Sequence, residues 1–72
     1  MATIIGPLAS QLDDVGSGIT YLGEAEPGAV TSNSVWRIKK IVETGPDVAI
    51  TWADGDDLFD NIWDNRLSLS YS

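Results

Sequence analysis

Two stretches of this chain alternate apolar and polar positions well enough to be read as strands. Val35-Trp36-Arg37-Ile38-Lys39-Lys40-Ile41-Val42 places Trp36, Ile38, Lys40 and Val42 on one side and Val35, Arg37, Lys39 and Ile41 on the other. The alternation is imperfect, since Lys40 shares the tryptophan side. Either it lies near a rim, or a bulge at Lys39-Lys40 re-phases the strand. Val48-Ala49-Ile50-Thr51-Trp52 alternates large and small residues, which groups Val48, Ile50 and Trp52 together on the apolar face. The compact Thr44-Gly45-Pro46-Asp47 between them predicts an antiparallel hairpin, with Trp36 or Ile38 neighbouring Ile50 or Trp52 across the strands.

Weaker patterns flank this hairpin. Ile19-Thr20-Tyr21-Leu22 reads as a short strand, ended by Glu24-Ala25-Glu26-Pro27-Gly28 with a turn at Pro27-Gly28. Before it, Ile4, Ile5, Leu8 and Leu12 are interrupted by Gly6-Pro7 and closed off by Asp13-Asp14 and Gly16-Ser17-Gly18. Residues 1–18 therefore read as an N-terminal arm or loosely packed segment; a short helical turn over 8–15 is the alternative, below the length that is stable without docking. Thr31-Ser32-Asn33-Ser34 is polar loop, and Ala53-Asp54-Gly55-Asp56-Asp57 is a charged turn. Phe59, Ile62 and Trp63 fall at helical spacing, so 58–66 is either a short helix capped by Asp56 or Asp57 or an irregular loop. Leu67-Ser68-Leu69-Ser70-Tyr71 alternates strictly and predicts a closing strand with Leu67, Leu69 and Tyr71 inward. The expected fold is all-β: a small antiparallel sheet or a compact β-sandwich or barrel-like domain over 19–72, preceded by the arm, with one short helical turn as an option.

Composition narrows what such a domain does. The chain has 72 residues, four basic side chains against eleven acidic ones, a net charge of -7, and neither cysteine nor histidine. A domain of this size hides only roughly 60% of the surface that its unfolded chain exposes. Disulfides, thiolate ligands and imidazole ligands are all missing as internal staples, which leaves a partner subunit as a source of added stability. Histidine-based triads, thiol catalysis and the common zinc, haem and iron-sulfur sites are excluded by the same absences, so no enzyme activity and no cofactor are expected. The acidic balance opposes binding to nucleic acid or anionic membrane, for which only Arg37, Lys39, Lys40 and Arg66 could form a basic patch. Residues 1–12 lack charge, but they have no basic start and no unbroken apolar run, and so read as neither signal peptide nor membrane span. A hydrophobic content of 43%, with three tryptophans, two tyrosines and a phenylalanine, indicates a chain that packs.

Two groups of residues invite a chemical reading. Asp54, Asp56, Asp57, Asp60 and Asp64 offer hard oxygen ligands for calcium or magnesium. An EF-hand loop begun at Asp54 fails, because Leu58, Phe59 and Asn65 stand where an oxygen donor, glycine and glutamate are required. The plainer reading is an acidic turn with solvated carboxylates, leaving Asp54, Asp56 and Asp57 as weak metal candidates; a glycosidase pair would need a cleft that so short a chain hardly forms. The second group, Arg37, Lys39 and Lys40 beside Trp36, resembles a single-strand binding platform only superficially, since one strand makes no groove. Trp36 is expected in the core, with Arg37 and Lys39 opposite, meeting solvent or the acidic loop. Tryptophans bury about 150–250 Å² each, more than a thin domain covers easily, which tilts Trp52 or Trp63 toward a protein partner.

Several runs carry a resemblance to a known group of proteins: Tyr21-Leu22-Gly23-Glu24-Ala25 with Pro27-Gly28, Trp36-Arg37-Ile38-Lys39-Lys40-Ile41, Ile50-Thr51-Trp52-Ala53-Asp54-Gly55, Phe59-Asp60-Asn61-Ile62-Trp63-Asp64-Asn65-Arg66 and Leu67-Ser68-Leu69-Ser70-Tyr71. In combination they resemble a family of short proteins and terminal segments encoded in the structural-gene regions of tailed bacteriophages. The resemblance runs from Tyr21 to Tyr71 and leaves 1–18 outside. It implies a virion component made in the host cytoplasm, a head, neck or tail accessory protein with no catalytic residue to carry over. The expected partners are phage structural proteins and further copies of the chain, with no nucleic acid and no membrane. Ile4, Ile5, Leu8, Trp36, Trp52, Phe59, Trp63 and Tyr71 are the interface candidates, and Arg37, Lys39, Asp60, Asp64 and Arg66 the electrostatic ones. Residues 1–12 are expected to reach across to another subunit. The competing expectation is a calcium- or carbohydrate-binding small β module that uses the acidic loop and exposed tryptophans.

Overall fold

In the computed structural model, which describes residues 7–72, tight turns organise the sheet. Strand β1 (Ala9–Gly16) is joined to β2 (Ile19–Ala25) through Ser17 and Gly18, whose φ values of 57° and 78° are the pair of positive angles that a type I′ hairpin turn requires. Strand β3 (Ser34–Thr44) is joined to β4 (Asp47–Trp52) through Gly45 and Pro46, with Gly45 at φ 60° as the glycine-first position of a type II′ turn. Both turns match the right-handed twist of the strands that they join. The result is an all-β antiparallel meander in the order β1-β2-β3-β4, with the two-residue β5 (Asn61–Ile62) also paired to β3 and a 3-10 helix over Trp63–Ser68. The sheet stays open, with β1 and β4 at its edges.

The N-terminal expectation is corrected by β1. Its pairing with β2 runs from Ala9↔Ala25 to Asp14↔Thr20 and resumes at Gly16↔Ile19 after a register shift. From Ala9 onward the segment belongs to the sheet and is no separate arm, and the helical turn over 8–15 does not form. The turn at Ser17-Gly18 offers its backbone a ready ladder, whereas an isolated short helix has a costly nucleus and nothing to dock on. Ile4 and Ile5 lie outside the described residues.

Register assigns each residue to a face. Ile19, Tyr21, Gly23 and Ala25 of β2 share the inner face with Trp36, Ile38, Lys40 and Val42 of β3, as the pairs Ile19↔Val42, Tyr21↔Lys40 and Gly23↔Ile38 require. The pairing passes through Lys39 and Lys40 without interruption on both sides, so no bulge re-phases β3. Lys40 is instead half-buried at the rim of the core, its Nζ 5.9 Å from the centre of the Tyr71 ring. The core itself is Tyr21, Ala25, Trp36, Ile38, Ala53 and Trp63, with Ile19, Ala29, Leu69 and Tyr71 packed against it.

Strand β4 departs from the expected cross-strand neighbours. Thr44↔Asp47 across the two-residue turn puts Val48 opposite Glu43, Ile50 opposite Ile41 and Trp52 opposite Lys39, all on the outer face. Trp36 and Ile38 therefore have no Ile50 or Trp52 beside them. Alternation shows which residues share a side but not which side the rest of the chain will cover. The C-terminal segment is corrected too. No α-helix forms over 58–66, and Trp63 is buried whereas Phe59 lies against the outer-face Arg37. The strand expected at 67–71 shrinks to one bridge, Ala53↔Tyr71, with Leu67 exposed. Hydroxyl hydrogen bonds close this segment into tight turns: Ser68 Oγ donates to the Asn65 carbonyl (3.0 Å) and Tyr71 Oη to that of Arg66 (2.8 Å).

Gly23 sets the close approach of the covering layer. A Cβ built on it would stand 2.5 Å from Trp63 Cε3 and 2.8 Å from Cζ3, with Trp36 Cε3 at 3.2 Å. Atoms never pack that closely, so the indole sits where only a glycine permits it. Gly23→Ala is expected to lower stability by about 1–3 kcal/mol through overpacking, seen as a lower urea midpoint at unchanged slope. A midpoint equal to the parent's would show that the Trp63 ring yields freely.

Candidate functional site

The outer face of the sheet carries the candidate site. Pairing aligns its side chains in rows: Leu12, Leu22, Lys39 and Trp52 in one, Asp14, Thr20, Ile41 and Ile50 in the next, and Glu43 with Val48 beyond. Leu12, Val48 and Ile50 remain 68%, 57% and 56% exposed, although they belong to regular strands. Leu22, Ile41 and Trp52 lie between them, half-buried by their neighbours. An apolar strip thus crosses all four long strands. Contiguous exposed apolar area of this kind marks interaction sites in folded proteins.

Charge is arranged unevenly around the strip. At one end the Arg37 guanidinium lies 4.7 Å from the Phe59 ring centre and 5.7 Å from that of Trp52, while its Nε donates to Glu24 Oε1 at 3.2 Å. Lys39 Nζ lies 5.0 Å from the Trp52 ring centre. The cations are held partly by aromatic faces, at about 0.5–1 kcal/mol per contact in exposed settings. At the other end stand the exposed acids Asp14 and Glu43. The face is apolar in the middle, cationic toward Arg37 and Lys39, and anionic toward Glu43.

The candidates from the sequence divide between this face and the interior. Trp52, Phe59, Arg37 and Lys39 come together on the outer face. Trp36 lies in the core, as its place in β3 predicts, and not at an interface; Trp63 is corrected to a core residue as well, the two being 1% and 5% exposed with ring centres 6.1 Å apart, and Trp36 Nε1 donates to the Val30 carbonyl at 3.1 Å. Arg66 is an internal clamp. Its Nη2 and Nε reach Asp13 Oδ2 at 2.8 and 2.9 Å, Nη1 donates to the Trp63 carbonyl at 3.3 Å, and the guanidinium lies 4.6 Å from the Trp63 ring centre. Leu8 is half-buried before β1; Asp60 Oδ1 accepts from Asn61 Nδ2 at 3.2 Å, and Asp64 is exposed.

The acidic loop is occupied with its own backbone. Asp54 adopts φ 61° and its N–H donates to the Ser70 carbonyl at 2.8 Å; Asp56 Oδ1 accepts from the Leu58 N–H at 3.1 Å. Asp54, Asp56 and Asp57 do not converge, and among the described residues no group of three or more acidic side chains is placed to hold a metal. Tyr71 is half-buried, with its ring centre 5.6 Å from that of Tyr21. Burial, foremost, pushes its hydroxyl up to about 12, with Tyr21 and Asp54 adding to the shift and Arg66 opposing it.

Leu12, Leu22, Ile41, Val48 and Ile50 were not legible as site residues. Their alternation is visible in the sequence, but assigning them outward requires knowing that the C-terminal segment covers only the other side. The one local signal is Ser17-Gly18, a two-residue hairpin turn that draws Leu12 into the sheet. Comparison with family models, with curated proteins and with solved structures returned no match.

The Tyr71 shift has a definite sign. In the unfolded chain the phenol ionises near 10, whereas in the folded chain it keeps its proton to about 12. The unfolded state therefore binds fewer protons between these values, and stability, complete below the lower one, is lost as pH rises through the window. Urea midpoints are expected to fall over this alkaline range, and to fall less steeply in Tyr71→Phe. Parallel pH profiles for the two proteins would remove Tyr71 as the cause.

Proposed function

We propose that this protein is a virion structural accessory protein of a tailed bacteriophage, which binds other structural proteins of the particle by capsid decoration or by fibre attachment at the neck or tail, without catalysis. Two supports of different kinds meet in this reading. The phage setting rests on the resemblance of the runs between Tyr21 and Tyr71. The assembly role rests on one observation, the apolar strip left uncovered on a regular sheet, with Leu12, Val48 and Ile50 more than half exposed. Removing such side chains from water stabilises a complex by about 25 cal/mol per Å² of apolar surface before the costs of association.

The same geometry weakens the calcium and carbohydrate alternative. Sugar stacking needs an open aromatic face, and the Trp52 ring already has Lys39 and Arg37 at 5.0 and 5.7 Å from its centre. The acids of the loop close turns. Calorimetric titration with calcium and with simple glycans is expected to be flat, and a saturable heat would favour the alternative.

The direct test follows a tagged copy of the chain through infection by the phage that encodes it. Purified particles are expected to contain the protein in a fixed ratio to the major structural protein, and Ile50→Asp is expected to cut that content at least about tenfold while the isolated protein keeps its circular dichroism and urea midpoint. Particles free of the protein would overturn the proposal. The bridging role expected for residues 1–12 needs a shorter deletion than those limits suggest, because Ala9 already lies in β1. Removing residues 1–6 tests the arm without cutting the sheet; unchanged incorporation and oligomeric state would leave that segment without a bridging role.

A further inference from the structure

We infer that one occupant of the open face is a second copy of this chain, packed face to face about a twofold axis that crosses the strands over Ile41. The inference rests on reading this face as an interface and names its partner.

The pattern of the face is the argument. On β3, Lys39 and Glu43 stand on the same face, two positions either side of Ile41, and β4 repeats the spacing with Trp52 and Val48 either side of Ile50. A twofold axis across the strands exchanges these positions. It lays Ile41 and Ile50 of one copy against the same residues of the other, sets Trp52 over Val48, and brings each Lys39 to a Glu43, making two intermolecular ion pairs; Thr20 and Asp14, in the same row, also meet their own counterparts, Asp14 at the solvent-exposed edge strand β1, where water keeps its carboxylate hydrated. The ion pairs among the described residues are Arg37 with Glu24 and Arg66 with Asp13, so neither Lys39 nor Glu43 is ion-paired among the described residues. The row of Leu12 and Leu22 is carried over the first hairpin turn of the other copy, whose Gly16 and Gly18 bear no side chain. Two sheets stacked in this way keep their strands within about 30° of each other and lie about 10 Å apart, a gap that apolar side chains from both inner faces fill.

The other axis open to a face-to-face pair runs along the strands, and it is disfavoured. Because Leu22 pairs with Lys39 across β2 and β3, an axis between those strands would press each ammonium onto the partner's Leu22. Burying a charge without a counter-ion is costly, so the charge pattern selects the crossing axis. Net charge adds a salt signature. Each copy carries -7, and the two repel beyond their contact surface. Salt screens that repulsion while leaving the apolar strip unaffected, so association tightens as ionic strength rises.

Sedimentation velocity of the purified full chain over a wide concentration range is the test. The expected result is a reversible monomer-dimer equilibrium that shifts toward dimer with added salt. Ile50→Asp is expected to weaken it at least about tenfold, while Leu67→Asp, an exposed apolar site in the 3-10 helix that covers the opposite side of the sheet, leaves it unchanged. Lys39→Glu and Glu43→Lys should each weaken the dimer, and the double variant K39E/E43K should restore it, because the exchanged pair re-forms across the axis. Urea midpoints for every variant separate loss of association from loss of fold. A chain that stays monomeric throughout, or a double variant that fails to recover, would overturn the inference. A monomer that still enters particles would leave the proposed function standing, and a dimer absent from particles would remove that function while keeping this interface.

Discussion

The structure depends on the seating of the Trp63 indole over Gly23. A β-strand presents a side chain at every second position of its covered face, and β2 leaves one of those positions empty where the ring comes down. Trp36 flanks the same hole, its centre 6.1 Å from that of Trp63, so two indoles share one gap in the pleat. This contact fixes the 3-10 helix on the sheet. The helix in turn holds Arg66, whose guanidinium lies along Trp63 and reaches Asp13 on β1. A residue near the C-terminus thereby ties down the outermost N-terminal strand, a link that compensates for the absence of disulfides.

A layer this thin covers only one side of the sheet. Trp36, Ile38 and Trp63 take the apolar capacity of the C-terminal segment, and no further element of the described chain remains for Leu12, Val48 and Ile50. In a larger domain a second layer would supply that cover, and small chains face the shortage because surface grows faster than core as size falls. Among the described residues the exposed strip is thus a consequence of topology, which brings the covering segment onto one face of the sheet. Its charges modify that consequence. Arg37 and Lys39 are two of the four basic residues in a chain of net charge -7, and both stand on the face that lacks cover. An apolar surface with Lys39 and Arg37 toward one end and Glu43 toward the other discriminates among partners, since a like-charged contact at either end is disfavoured and an opposite one is drawn in.

How much of this the sequence discloses follows from what its pattern encodes. The strands β2, β3 and β4 were legible, because alternation is a local property, and so was the turn at Gly45-Pro46, whose residues require it. Trp36 could be placed in the core from its position in β3. The expected pairing of Ile50 or Trp52 with Trp36 or Ile38 failed because a strand does not record which of its faces will be covered. Strand β1 was missed for another reason: Ser10, Gln11, Asp13 and Asp14 have little strand propensity, and its pairing is dictated by the hairpin turn and by Arg66, fifty-three residues away in the chain. The closing alternation of Leu67, Leu69 and Tyr71 held for Leu69 and Tyr71, which pack against the core, and failed at Leu67, which lies in the 3-10 helix, where the Ser68 hydroxyl bonds back to the Asn65 carbonyl.

The failures at β1 and β4 have one origin, and it bears on how the face should be understood. Both arise where a local pattern is compatible with two arrangements and a distant contact chooses between them. The outer strip is the part of the sheet for which the described residues supply no such contact. Its alternation is as regular as that of the buried side, with Trp52, Ile50 and Val48 spaced as core residues are spaced, so by pattern it is a core face and by exposure a surface. A sheet bearing core-like residues on both sides is half of a two-layer structure. A layer that covers this face has to meet specific requirements: an apolar surface of matching width, with an acid where Lys39 emerges and a base where Glu43 does. The same face, turned about Ile41, meets those conditions.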